Sequence, residues 1–191
     1  MEQNTPTDAL LIEHTRTWVE SVIVALNLCP FAGREVARNS IHYRVLWGDL
    51  ESCLHDLIEA CVHLDQNSDI ETSLLIFADG FRDFEDFLDL EEIANTLMVE
   101  QGYEGVYQLA SFHPAYCFAE QDVDDPANYT NRSPYPMLHL LREDSIERAL
   151  ENTPEPERIP ERNIELTRAR GLDAMRALLA ACTQAKKSEH D

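Results

Sequence analysis

Apolar positions change their period several times along the chain, and each change marks an element. Leu11, Thr15, Trp18, Val19, Val22, Ile23 and Leu26 recur at helical spacing behind Thr5, Pro6 and Asp8. Thr5 reads as an N-cap, Pro6 as a first-turn residue and Asp8 as a carboxylate near the positive end of the helix dipole. The spacing predicts an amphipathic helix over residues 7 to about 28, closed by Pro30. After a short segment read as a helical turn, Ile41, Tyr43, Val45 and Trp47 alternate with polar or basic neighbours, the two-residue period of a strand. Asp49 opens a second helix whose apolar face carries Leu50, Cys53, Leu54, Leu57, Ile58, Cys61 and Val62, which makes Cys53 and Cys61 packing residues. Residues 73–78 suit a short buried strand. Phe84, Phe87, Leu88, Ala94, Leu97 and Met98 mark a third helix ending at Gly102, and 106–112 supplies another strand.

Beyond Phe112 the period disappears. Pro114, Pro126, Pro134 and Pro136, mixed with Asp122, Asp124, Asp125, Asn128 and Asn131, turn residues 113–136 into a long loop. Order returns at 137–142, read as a fourth strand with a short helix as the alternative, and in a helix from Asp144 to about Leu150. The tail is helical, with Pro160 in its first turn and an apolar face of Ile164, Leu172, Met175, Leu178, Leu179 and Cys182. This order predicts an α/β sandwich with a small, largely parallel or mixed sheet of three to four strands flanked by helices. Residues 1–191 read as a single α/β domain, with about 1–7 and 186–191 as frayed ends.

Charge narrows the partners. A formal charge of −21, from 36 acidic and 15 basic side chains, repels nucleic acid and anionic lipid. Between Arg82 and Arg132 there is no Lys or Arg, and the carboxylates gathered there read first as a solvated face. The polar start of the chain and the lack of an apolar run near the roughly 18 residues of a membrane span point to a cytoplasmic protein with no membrane partner. Cysteines at 29, 53, 61, 117 and 182, with no C-x-x-C pair, argue against a disulfide framework and against a zinc ribbon.

Ligands of open α/β sheets gather outside the carboxyl ends of the strands. Trp47-Gly48-Asp49, Ala78-Asp79-Gly80 and Ser111-Phe112-His113-Pro114 put Asp49, Asp79 and His113 on that edge, although Asp49 and Asp79 also read as caps of the helices that follow. A structureless loop as long as 113–136 is either disordered or functional, and Tyr116, Phe118, Tyr129, Tyr135 and Met137 anchor it. It carries Asn128, Asn131, Arg132 and Ser133, with His139 and Arg142 just after. Amides, a hydroxyl and two guanidinium groups suit an anionic small molecule, a carboxylate or phosphate, through paired charge-assisted hydrogen bonds. The blander alternative is that Arg132 and Arg142 neutralise Asp124, Asp125, Glu143 or Asp144. His113 and His139 are candidate catalytic acid–base groups. Cys29, in Asn27-Leu28-Cys29-Pro30-Phe31-Ala32, would with His113 and His139 hold a divalent metal or form an imidazole-activated thiol; packing is its third reading.

Two functional classes follow. A small-molecule enzyme requires His113, Arg132, His139 and Arg142 to converge on one concavity; a non-catalytic acidic binding or adaptor protein leaves them scattered and exposes an apolar patch. A homo-oligomer joined through an exposed strand edge is compatible with either.

Taken together, Trp18-Val19-Glu20, the run from Leu26 to Ala32, Ser111-Phe112-His113-Pro114, the run from Asp125 to Pro136 and His139-Leu140-Leu141-Arg142-Glu143 resemble an uncharacterised, mainly proteobacterial family known as domain of unknown function 1415. The resemblance extends from about Asp8 to Ala181. It implies a bacterial, cytoplasmic protein of one domain, and brings no activity, cofactor or catalytic assignment.

Overall fold

Four six-residue strands, β1 (Ile41–Leu46), β2 (Thr72–Phe77), β3 (Tyr107–Phe112) and β4 (Met137–Arg142), form one sheet in the order β1-β2-β4-β3. The structure is a computed structural model and describes residues 5–151 and 153–184, so the fraying expected at 186–191 lies outside the described residues. β1 and β2 are parallel, whereas β4 runs antiparallel to both β2 and β3. The sheet is therefore mixed. Three strands point one way, and the fourth slots between β2 and β3, because the long loop returns the chain to the edge where β3 ends and needs no crossover helix.

The helices are α1 (Asp8–Trp18), α2 (Ala32–Arg38), α3 (Leu50–Gln66), α4 (Phe84–Glu100), α5 (Glu143–Glu151), α6 (Ile159–Arg170) and α7 (Leu172–Ala181). Their starts follow side-chain chemistry. Thr7, rather than Thr5, caps α1 by accepting from the Leu10 N–H at 3.3 Å. Asp49 caps α3 through the Ser52 N–H, and Asp83 caps α4 through the Glu85 and Asp86 N–H groups. α1 runs on as a π-helical stretch over Val19–Val24, so the single long helix of the sequence pattern changes pitch midway. Gly171, at φ +83°, ends α6 and splits the tail into two helices.

Strand alternation divides the interior in two. Leu46, Leu75, Phe77, Leu138 and Leu140 face α3 and α4, where they meet Leu57, Cys61 and Phe87. Leu74, Ile76 and Met137 face the other way, against Leu11, Trp18 and Val22 of the first helix and Met175 of the tail. The result is a three-layer α/β/α sandwich with β2 buried along its length. Cys53 and Cys61 are packing thiols as expected, and burial raises them to about 11 and about 12.

Candidate functional site

Because β1, β2 and β3 share a direction, the loops after them open on one edge, and Asp49, Asp79 and His113 all lie there. Their roles differ. Asp49 is the cap of α3, with its carboxylate also accepting from the Ser52 hydroxyl at 2.8 Å. Asp79 is not the cap of α4, since Asp83 takes that position; its carboxylate instead accepts from the Gly48 N–H at 3.2 Å and ties two loops together. His113 is fully buried. Its Nδ1 accepts from the Ala115 N–H at 3.0 Å, so Nε2 carries the proton and donates to the Phe81 carbonyl, also at 3.0 Å. The rings of Phe84 and Phe87 lie 5.2 and 5.0 Å from it. Burial holds its pKa below the ordinary histidine value, opposed by the hydrogen bond to Phe81 and the charge of Asp83. Both ring nitrogens are engaged, and Phe81, whose carbonyl accepts from Nε2, stands in a left-handed conformation at φ +48° that a bulky residue rarely adopts.

The long loop is ordered, with a single 3-10 turn at Pro126–Thr130. Its polar side chains act as substitute backbone partners. Asn128, fully buried, accepts from the Phe118 N–H at 3.0 Å and donates to the Asp122 and Val123 carbonyls at 2.9 and 3.4 Å. Arg132 donates to the carbonyls of Tyr116 and Val123 at 3.0 and 2.8 Å, and its guanidinium sits 4.7 Å from the centre of the Tyr129 ring. Asn131 donates to the Ser111 carbonyl at 3.3 Å, and Ser133 to the Tyr135 carbonyl at 2.6 Å. Trp18 pins the loop to α1 through its indole N–H and the Arg132 carbonyl, 3.1 Å apart.

Arg142 is elsewhere. Tyr107 pairs with Arg142 at one end of the β3–β4 ladder and Phe112 with Met137 at the other. Five residue steps separate the ends, about 17 Å. Arg142 donates to the Leu64 and Ile70 carbonyls at 2.6 and 3.0 Å and to the Tyr107 hydroxyl at 3.3 Å, fastening the end of α3 to the start of β2. Neither arginine neutralises the carboxylates named for it. Asp124 and Asp125 pair instead with Arg176 and Arg168 of the tail helices, at 2.6 and 2.7 Å.

The proposed Cys29, His113 and His139 set is divided by the sheet. Residue 113 continues the parity of Tyr107, Leu109 and Ser111 and packs toward α4; His139 shares the parity of Met137 and faces the α1 side, where Cys29 also packs. The Thr72 hydroxyl donates to the Leu140 carbonyl and accepts from His139 Nε2 at 2.6 Å, which places a proton on Nε2. Burial lowers His139 to about 4. His14 reads in the sequence as an ordinary histidine on a helix face, since it sits among the apolar positions of α1. Its Nδ1 lies 2.6 Å from the Tyr135 hydroxyl, while its buried Nε2 has no partner.

On the opposite layer, α3 and α4 enclose a trench of about 450 Å³. Leu50, Leu54 and Ile58 form one wall and Leu97 the other, with Glu51, His55 and Gln101 at its margin. Leu50 is 38% exposed, Ile93 41% and Val99 53%. Neither helix contains a Lys or Arg: α3 carries Glu51, Asp56, Glu59 and Asp65, and α4 carries Glu85, Asp86, Asp89, Glu91, Glu92 and Glu100. His55, Asp56 and Glu59 bring metal-competent atoms within 4.8 Å of one another, but the Arg44 guanidinium already lies 2.5 Å from Asp56 and 2.6 Å from Glu59 and supplies the cation.

Among the described residues no helix is long and apolar enough to cross a membrane. A family profile described as a protein of unknown function (DUF1415) matches residues 10–177, and the chain belongs to that family. No curated protein and no solved structure matches it.

Proposed function

We propose that this member of the DUF1415 family is a cytoplasmic, acidic binding protein that docks a protein partner on the trench between α3 and α4, and is not an enzyme working from the 113–136 loop. One contrast carries the reading. The polar groups of the loop satisfy the loop's own backbone, whereas the trench leaves leucine and isoleucine side chains open among carboxylates of which only Asp56 and Glu59 meet an arginine among the described residues. An anion site would need Arg132 and Arg142 on one oxyanion, and they stand at opposite ends of a strand ladder. A divalent metal on Cys29, His113 and His139 would need ligands from both faces of the sheet.

The test uses a photo-crosslinking phenylalanine analogue placed at position 97, and at exposed Ala177 on the far layer, in the native host cell. A partner joined from position 97 is identified by mass spectrometry, produced pure and titrated against the wild-type chain and a Leu50→Gln, Leu97→Gln double variant. The expected result is a complex that the double variant weakens about tenfold or more, as loss of central apolar anchors does. No adduct at position 97, or a complex indifferent to the double variant, would sink the proposal.

A further inference from the structure

We infer that the segment seated in the α3–α4 trench is a basic amphipathic α-helix of another protein. The inference rests on the docking reading above and adds the chemistry of the occupant. Shape comes first. Leu50, Leu54 and Ile58 are spaced by four, so they form one ridge of α3 about 12 Å long, and Leu97 and Gln101, also spaced by four, form a second ridge on α4. A hollow between two such ridges accepts the side-chain ridge of a third helix over two to three turns. An extended peptide fits it poorly, because the apolar walls offer no partners for the unpaired N–H and C=O groups of a strand.

Charge then selects among helices. The two helices together hold ten carboxylates and no Lys or Arg. Among the described residues only Asp56 and Glu59 of these have an ion-pair partner of full charge, and both share Arg44; no Lys or Arg reaches a carboxylate of α4. A helix with an apolar stripe and Lys or Arg on its flanks would gain from this field, in rate as well as affinity, and an acidic helix would be repelled. Among the described residues, the exposed amphipathic helix α5 of a second copy does not match this chemistry. It buries none of its residues and presents Ile146 and Leu150, but carries Glu143, Asp144, Glu147 and Glu151 against Arg148. An anionic membrane is disfavoured by the same field.

The experiment titrates the full chain into three fluorescein-labelled peptides of about 18 residues, long enough for five turns. One places leucines at three- and four-residue spacing with lysine and alanine elsewhere, one scrambles that sequence so that no face is apolar, and one replaces its lysines by glutamate. Fluorescence anisotropy should show the amphipathic basic peptide binding at least about tenfold tighter than either other peptide, weakening in the Leu50→Gln, Leu97→Gln variant and also as NaCl rises from about 0.05 to about 0.5 M. Circular dichroism and melting temperature establish that the variant is folded. Equal binding of the scrambled peptide would reduce the effect to unspecific attraction by a chain of charge −21 and overturn the inference. Trench-dependent binding of the glutamate peptide would overturn it while leaving the docking reading intact. If no peptide is sensitive to the double variant and position 97 gives no adduct in cells, both fall together.

Discussion

The 113–136 loop and the α3–α4 layer look interchangeable as functional candidates in composition, since both are polar, acidic and set with apolar side chains. Their structures are opposite. In the loop, Asn128 and Arg132 turn inward and replace the hydrogen-bond partners that an irregular backbone lacks, so the polar residues are the core of the loop. On α3 and α4 the backbone is satisfied by the helices themselves, and the side chains are free to face a partner. Polar residues in irregular backbone are first a structural necessity, whereas apolar residues on the open side of a regular helix have no such duty.

The largest effect should come from breaking the loop. Asn128→Ala removes one acceptor and two donors at a fully buried position, leaving the Phe118 N–H unpaired and the Asp122 and Val123 carbonyls with one partner fewer. The expected loss is about 3 kcal/mol, read by chemical denaturation, with no change in basic-peptide binding. A loss below about 0.5 kcal/mol would mean that the loop does not depend on this amide.

Arg142→Lys comes next. Lysine keeps the charge but loses the planar fork that reaches the Leu64 and Ile70 carbonyls together, and the expected cost is about 1–2 kcal/mol. An arginine held ready for an anionic ligand would show unchanged stability on this substitution and weakened ligand binding instead, and that outcome would revive the anion site.

A pH titration separates the histidines from the carboxylates. Burial lowers His113 and His42 and brings His139 from 6.5 to about 4. The unfolded chain therefore takes up protons first as pH falls, so the stability these groups contribute is fully present above 6.5 and is lost on the way down toward about 4. Asp49 and Asp125 have folded values below their ordinary 3.8, so their contribution is lost only at lower pH. Stability should thus fall between pH 6.5 and about 4.5, and His139→Gln should flatten that fall. An unchanged slope would mean that His139 protonates without penalty.

Most of the fold was legible because its signals are local. Asp49 before Leu50 announces α3, and Ile41, Tyr43 and Val45 announce β1, whatever else the chain does. The insertion of β4 between β2 and β3 was not legible, since the residues of a strand buried on both faces do not say which way it runs. The surroundings of the candidate site residues were hidden for a related reason. Asn128, Arg132, His113 and Arg142 have the chemistry of ligand-binding residues, but whether a guanidinium meets a phosphate or a carbonyl depends on where the backbone leaves unpaired groups, which is a three-dimensional fact. Arg168 and Arg176, which compensate Asp125 and Asp124 across a gap of some forty to fifty positions, give no sequence signal of that partnership. The trench was half visible in the apolar face of α3 and the acidic run of α4, and lacked only the knowledge that the two helices lie side by side.

The smallest effect gives the finest comparison, because stability and binding should move in opposite directions. Glu100 is the last residue of α4, where the negative end of the helix dipole disfavours a carboxylate, and it directly precedes Gln101, which lines the trench. Glu100→Gln should therefore raise the melting temperature slightly, on the order of 1 °C at low salt, and the gain should fade as salt screens both dipole and neighbouring charge. The same change removes one of the charges that attract a basic helix, so peptide binding should weaken. A residue kept for folding cannot behave this way. If Glu100→Gln lowered stability and left peptide binding untouched, the acidity of this layer would belong to the fold and not to a partner.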